Sequence, residues 1–146
     1  MKFVSLICRG LASSRKKLAL KRMMEVLSLE VIILQETMGP ELEVETSLTS
    51  LLTQYSFRAQ SAINHSGGRA IGWKKTSIRC TNSWCSPIGL GTHLCWGDTN
   101  TTLIVVSIYG PYSNRAYFWD SFKRAGFVKE KNLIIGGGSQ FHSRSP

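Results

Sequence analysis

The chain opens on an apolar segment and continues with helical spacing. Residues 2–8 read KFVSLIC, which predicts a buried strand. Apolar residues then recur at i, i+4 and i+7 from Leu20, and basic residues fill the opposite positions. This pattern predicts an amphipathic helix over residues 15–28, and either Ser13 or Ser14 is suited to cap its first turn.

A second strand and a second helix follow. Residues 30–35 read EVIILQ, which predicts another buried strand, and Gly39-Pro40 breaks the chain after it. A short amphipathic helix is predicted beyond this break. Its apolar face is expected to contain Leu48, Leu51, Leu52 and Tyr55.

Beyond this second helix the hydrophobic pattern has a period of two residues, which is typical of strands. Five strands are predicted, near residues 57–63, 69–75, 77–84, 92–97 and 102–109. Glycine-rich turns are predicted at residues 66–68 and 89–91. A helix over 114–125 and a last strand over 132–135, which runs into three glycines, complete the pattern. The predicted order is strand, helix, strand, a meander of strands, helix and strand. This order predicts an α/β fold with a mixed sheet.

The charge distribution favours a polyanionic partner. The chain has 146 residues, enough for one domain, with 18 basic and 9 acidic residues and a net charge of +9. Residues 1–22 carry seven basic side chains and no acidic one, whereas residues 23–57 carry six glutamates and no basic one. This basic balance favours nucleic acid or an anionic membrane surface as partner.

No apolar run has the length of a membrane span. The longest uninterrupted runs are four residues, against about 20 for a transmembrane helix. The apolar stretch of residues 3–8 is too short for the core of a signal peptide. We therefore expect an intracellular protein of the nucleus or cytoplasm without a membrane partner, whose four cysteines are free thiols. A zinc site is disfavoured because the cysteines lack a paired C-x₂-C knuckle.

Five short blocks occur in a fixed order along the chain. They read KFVSLICRGL, VIILQET, SGGRAIGW, IVVSIYGP and NLIIGGGSQF. Their order and spacing resemble the endonuclease/exonuclease/phosphatase superfamily, and most closely the endonuclease domain of plant LINE-type (non-LTR) retrotransposons. The resemblance implies an incomplete four-layer α/β sandwich, formed by one domain over residues 1–146 and truncated at its C-terminal end.

The resemblance also implies a chemistry, the cleavage of a phosphodiester with Mg²⁺ or Mn²⁺. By this resemblance Glu36 stands at the metal-binding glutamate and Tyr109 at the tyrosine that contacts the phosphate. Ile7 stands where a metal-binding asparagine is expected. Gly138 and Gln140 stand where the aspartate and the asparagine of an Asp-x-Asn motif are expected. A later Asp-His pair is absent.

These substitutions predict little or no nuclease activity. Isoleucine offers no lone pair to a metal ion and glycine cannot act as a base, so Mg²⁺ or Mn²⁺ should bind weakly. We expect a degenerate retrotransposon endonuclease domain. Two alternatives stay open: a non-catalytic nucleic-acid-binding module, and an active phosphodiesterase with unrecognised substitute residues.

Candidate DNA contacts are basic residues near the predicted site, namely Arg9, Lys16, Lys17 and Arg115. The alternative for Lys16 and Lys17 is the solvated face of a helix. Glu36 has the alternative of an ordinary residue at a strand end, and Tyr109 that of a half-buried aromatic residue. An incomplete sandwich also leaves an apolar sheet edge exposed, which predicts self-association.

Overall fold

A computed structural model describes residues 2–61, 67–86, 89–97, 99, 101–108, 124 and 132–137. Among the described residues, the N-terminal half of the chain contains two helices and four strands. It runs through β1 (Phe3–Ile7), α1 (Ser14–Leu27), β2 (Val31–Gln35), α2 (Glu41–Leu51), β3 (Tyr55–Gln60) and β4 (Arg69–Lys74). The remainder contributes β5 (Ile78–Ser86), β6 (Gly89–Trp96), β7 (Thr102–Ile108) and β8 (Leu133–Gly137). The helix expected over 114–125 lies outside the described residues, apart from Arg124.

The strands form two mixed sheets of four strands each. The first has the order β1-β2-β4-β3, in which β1 and β2 are parallel and the other neighbours are antiparallel. The second has the order β5-β6-β7-β8, in which only β7 and β8 are parallel. All five residues of β2 are buried, as expected for an uninterrupted apolar run covered on both faces.

The two sheets pack face to face over an apolar core. Alternate residues of β2 and β4 face the second sheet, which meets them with alternate residues of β6 and β7. This layer contains Val31, Ile33, Ile71, Trp73, Leu94 and Val105. Such alternation follows from the two-residue period of a strand, and it gives one face of each sheet to the core between them.

The helices cover the other face of the first sheet. Leu20 and Met24 of α1 and Val44 and Leu48 of α2 are buried in one cluster with outward-facing residues of β2. The N-cap of α1 is Ser13, whose side chain accepts a hydrogen bond from the Lys16 backbone amide at 3.4 Å. In the described part of the chain, the helices form one layer on the first sheet, and the first sheet packs on the second. This arrangement confirms the predicted α/β sandwich. Neither described helix is long and apolar enough to cross a bilayer.

The prediction that Tyr55 lies on the apolar face of the second helix was wrong. The helix begins at Glu41 and ends at Leu51, so Tyr55 is the first residue of β3. Its buried positions are Val44 and Leu48, one turn apart. Tyr55 is buried in the apolar cluster under the helices, and its phenol donates a hydrogen bond to the Leu29 carbonyl oxygen next to β2. The apolar residues near position 50 therefore belong partly to this helix and partly to the strand that follows it.

The turn expected at residues 89–91 was also wrong, because these residues begin β6. Gly91 pairs with Trp84 on β5, and a Cβ at position 91 would lie 2.2 Å from the Trp84 ring. A Cβ at Gly89 would lie 2.3 Å from the Ser107 carbonyl oxygen. These glycines therefore permit close packing inside a sheet rather than a change of chain direction.

One side of the sandwich exposes apolar side chains. β1 and β8 are the outer strands of their sheets within the described residues. Phe3 is 46% exposed, Ile7 45% and Ile135 42%. On the opposite side, Arg58 of β3 donates to the Ser83 hydroxyl of β5 and joins the two sheets. The expected self-association through an apolar edge stays a prediction.

Candidate functional site

The carboxyl ends of four strands meet at one end of the sandwich. β1 and β2 run in parallel and end at the paired residues Ile7 and Gln35. β7 and β8 run in parallel and end at Ile108 and Gly137. Arg69 pairs with Gln35, and its Nη1 donates to the Ser107 carbonyl oxygen at 3.2 Å. This bond brings the end of β7 next to the end of β2, at the edge where open α/β sheets bind ligands.

The loops that follow β1 and β2 hold each other in place. The Gly10 amide donates to the Glu36 carbonyl oxygen at 2.7 Å, and the Glu36 amide donates to the Gly68 carbonyl oxygen at 2.9 Å. Arg9, Glu36 and Met38 adopt left-handed backbone conformations, with φ of 52°, 56° and 61°. Such conformations cost a non-glycine residue about 1–2 kcal/mol each, and they often mark functional loops.

The donor set around Glu36 does not fit Mg²⁺ or Mn²⁺ in the described part of the chain. Mg²⁺ prefers about six oxygen ligands in octahedral geometry. Glu36 supplies one half-buried carboxylate, and Ile7, paired with the preceding residue Gln35, supplies no donor atom. The described residues contain no group of three His, Cys, Asp or Glu side chains that could hold a metal ion.

A buried polar layer lies between the sheets at this end. Gln35, Arg69 and Ser107 are 6%, 5% and 0% exposed, and all three face inward, in step with the apolar positions below them. Both amide atoms of Gln35 and the hydroxyl of Ser107 have no hydrogen-bond partner among the described residues. Each such orphaned group costs about 1–3 kcal/mol, which a bound water or ligand would offset.

Sequence reasoning missed this polar layer, although a signal was present. Gln35 ends the run VIILQ and Ser107 interrupts the run LIVVSI, each at an inward position of its strand. A polar residue in step with buried apolar residues indicates either a satisfied core group or a site. The two-residue period of a strand shows which way these side chains face but not what they contact. The polar layer therefore becomes apparent only when the two sheets are packed together.

Three of the predicted DNA contacts cluster at the same end. The Lys16 ammonium donates to the carbonyl oxygens of Cys8 and Arg9, at 3.1 and 2.9 Å, so it fixes the loop after β1 as well as carrying charge. Arg9 is exposed and Lys17 is half-buried. The structure thus places the Lys16 ammonium on the loop after β1, whose Gly10 amide bonds to the Glu36 carbonyl oxygen.

The other predicted site residues, Tyr109, Arg115, Gly138 and Gln140, lie outside the described residues. Two of them directly follow described strand ends, since Tyr109 comes after Ile108 and Gly138 after Gly137. Their assigned roles stay predictions from the resemblance.

The pKa of the Cys8 thiol depends on the burial and the charges at this end of the sandwich. Burial raises the pKa of Cys8 from its ordinary value of 9.0 to about 11, while the nearby Lys16 ammonium lowers it and the Glu36 carboxylate raises it, by less. At pH 8 the thiolate fraction is then about a hundredfold below that of an ordinary thiol.

We expect Cys8 in the folded chain to react with iodoacetamide at least about tenfold more slowly at pH 8 than Cys8 in the urea-unfolded chain. Below the raised pKa its rate should keep increasing as the pH rises, because more thiolate forms. Peptide mass spectrometry after timed alkylation measures this rate. Equal rates in the folded and unfolded chains would show that the thiol is not buried.

The fold is that of endonuclease/exonuclease/phosphatase proteins, as comparison with solved structures shows. No family model matches the sequence, and no curated protein matches it significantly. A family protein from Bacteroides thetaiotaomicron superimposes with a TM-score of 0.67 at 12% identity, over 92% of this chain and 62% of that chain. A humanised D. rerio TDP2 gives 0.66 at 15% identity, over 97% and 63%.

The AP endonuclease LMAP from Leishmania major gives a TM-score of 0.64 at 21% identity, over 92% of this chain and 54% of that chain. At such identities the likeness establishes a shared fold. The chain thus spans less than two thirds of the length of each of these three proteins.

Proposed function

We propose that this chain is a remnant of a metal-dependent phosphodiesterase, a DNA endonuclease domain of a LINE-type retrotransposon, with impaired or lost catalysis. The observation that carries the proposal is that the described residues offer no second metal ligand to Glu36. Ile7, which pairs with the preceding residue Gln35, stands where the resemblance calls for a metal-binding asparagine. One carboxylate next to an aliphatic side chain is a poor site for a hard divalent cation.

DNA is the polyanion that we propose as partner. Its support is the net charge of +9 and the names of the structural neighbours, among them a D. rerio TDP2 complexed with a single-strand DNA product and an AP endonuclease. The position of Arg9, Lys16 and Lys17 beside the strand ends adds to this support. Phosphate contacts of this kind give affinity without sequence specificity.

A second candidate function follows from the same basic face: a nucleic-acid-binding module that has no catalytic role. It is favoured by α1, which carries five basic residues and one acidic residue over Ser14–Leu27. Salt-dependent DNA binding without cleavage would favour this module over a remnant that has lost its function.

We expect salt-dependent binding to a short DNA duplex, with log K falling linearly with log salt. The Lys17→Met variant should bind several-fold more weakly and reduce the slope by about 0.9, because one phosphate contact is lost. Lys75→Met is the matched control: Lys75 lies in the turn between β4 and β5, at the opposite end of the sandwich, and should change neither quantity. Fluorescence anisotropy between 50 and 200 mM salt measures both.

Salt-independent binding, or an equal loss from Lys17→Met and Lys75→Met, would contradict a DNA site at this end. No binding at all at the lowest salt would remove DNA as the partner.

A further inference from the structure

The outer edge of β1 is open in the described part of the chain. The Cys8 amide donates to the Gln35 carbonyl oxygen at 2.8 Å, so the even-numbered residues of this segment bond to β2. The backbone groups of Phe3, Ser5 and Ile7 therefore point away from β2, and they have no partner among the described residues. Such a row of free amide and carbonyl groups can pair with another strand.

The outer edges of β3 and β5, on the opposite side of the sandwich, are protected. The Glu45 carboxylate accepts a hydrogen bond from the Ala59 amide of β3 at 2.8 Å. A bulge between Cys80 and Asn82 interrupts the pairing of β5. Residues 3–8 contain no charged residue, glycine or proline that would discourage pairing. By the devices that natural sheets use against edge pairing, β1 is left free to pair.

Large apolar side chains mark the two ends of the β1 edge. Phe3 and Ile7 lie on the face of the first sheet that is turned towards the second sheet, and they are 46% and 45% exposed. Between them Ser5 faces Gly136 of β8, where a Cβ would lie 3.0 Å from the Ser5 Oγ. The middle of the edge thus carries small groups, which leave room for a second strand.

Helix α1 adds an apolar stripe on the other face of the sheet. Lys17 and Lys21 line grooves between α1 and α2, which identifies the side of α1 that is turned towards α2. Ala19, Met23 and Val26 follow one another at helical spacing on the opposite side, towards the free edge of β1. Val26 is 81% exposed. The apolar strip therefore continues from the strand to the helix.

From these features we propose that two copies of the chain pair through the outer edges of β1. The two strands run antiparallel about a two-fold axis at Ser5 and join two four-stranded sheets into one. The sequence FVSLI is self-complementary in this register. Phe3 lies opposite Ile7 of the second copy, Val4 lies opposite Leu6, and Ser5 lies opposite Ser5.

This register uses the backbone groups that the fold leaves free. Residues that turn their amide and carbonyl groups to the same partner strand form the hydrogen-bonded pairs of an antiparallel ladder. These are the odd-numbered residues of β1, and each exchanges both of its bonds with the second copy. A shift by two residues in either direction would leave Phe3 or Ile7 without its apolar partner.

Charge and size both favour a second copy as the occupant of this edge. The strip carries no charge that could hold a polyanion, and the register places Lys2 opposite Cys8 rather than opposite a second Lys2. Strand and helix stripe offer on the order of 500 Å² per copy, the size of the largest apolar patch on a typical monomer. A dimer would bury about 1,000 Å² in total, near the lower limit of specific interfaces, so we expect a dissociation constant in the micromolar range.

The test is sedimentation velocity of the whole chain from about 1 to 200 µM. We expect an equilibrium between monomer and dimer that strengthens as salt is added, because each copy carries a net charge of +9. Phe3→Lys places a charge in the seam twice and should weaken the dimer at least about tenfold. Leu42→Lys, the same change of charge at a 74% exposed position of α2, is the matched control and should leave the dimer unchanged.

A crosslink tests the register itself. The Cα atoms of a hydrogen-bonded antiparallel pair lie about 5.5 Å apart, a distance that a disulfide spans. Ser5→Cys should therefore form an intermolecular disulfide between the two introduced thiols under mild oxidation, which peptide mass spectrometry identifies. Ser50→Cys, at an exposed position of α2, is the control and should form none. If Phe3→Lys does not fold, this crosslink and the concentration dependence of the unmodified chain decide.

A chain that stays monomeric over the whole range would overturn the proposal, as would a dimer that Phe3→Lys and Leu42→Lys weaken equally. Open-ended assemblies would contradict the closed two-fold contact, and a dimer without the crosslink at position 5 would contradict the register. Each of these results leaves the proposed DNA binding standing, because that binding uses other residues.

Discussion

The Ile33→Ala variant is expected to lose roughly 2–5 kcal/mol of unfolding free energy. Ile33 is fully buried in the central strand β2, between the two sheets. Its removal leaves a cavity that neither sheet can close, because β2 is held by β1 on one side and β4 on the other. Urea unfolding followed by circular dichroism gives the value.

The matched control is Ile7→Ala on the adjacent strand β1. Ile7 has the same side chain on the same face of the sheet but is 45% exposed. It should lose well under half of what Ile33→Ala loses, since less apolar area leaves water. Equal losses at the two positions would contradict the packing of the second sheet over β2.

Much of the fold was predictable because local signals and packing agree. The run Val31–Leu34 predicted a buried strand, and the i, i+4, i+7 spacing with a serine cap at Ser13 or Ser14 predicted α1, whose cap is Ser13. The QET block placed Glu36 directly after that strand, where the structure has it. In these cases the hydrophobic period, the capping residue and the sequence motif all indicate the same local conformation.

Other features depended on contacts between distant segments. Gly91 reads as a turn residue, yet it lies in β6 because the Trp84 ring of the neighbouring strand occupies the space of its missing side chain. Tyr55 continues a helical spacing, but it lies in β3, where it pairs with Lys74 of β4. The burial of the Thr37 hydroxyl without a hydrogen-bond partner among the described residues became apparent only in the folded structure. No local pattern encodes such partners.

The second large expected effect is the absence of metal-dependent cleavage. Phosphodiester hydrolysis in this fold, as the resemblance implies it, requires several oxygen ligands for the metal and a base for the attacking water. By the same resemblance Ile7, the register partner of Gln35, replaces a metal-binding asparagine, and Gly138 and Gln140 replace the expected aspartate and asparagine. Losses within one catalytic unit commonly reduce rates by several orders of magnitude.

The most direct test of this account is nicking of supercoiled plasmid by the unmodified chain with Mg²⁺ or Mn²⁺, beside an EDTA control and the Glu36→Gln variant. The account predicts that the chain and the variant both stay at the level of buffer, under conditions where the chain binds the plasmid. Turnover that depends on the metal and disappears in Glu36→Gln would contradict it. That result would mean that Glu36 holds a metal with ligands outside the described residues, and that the chain is an active phosphodiesterase.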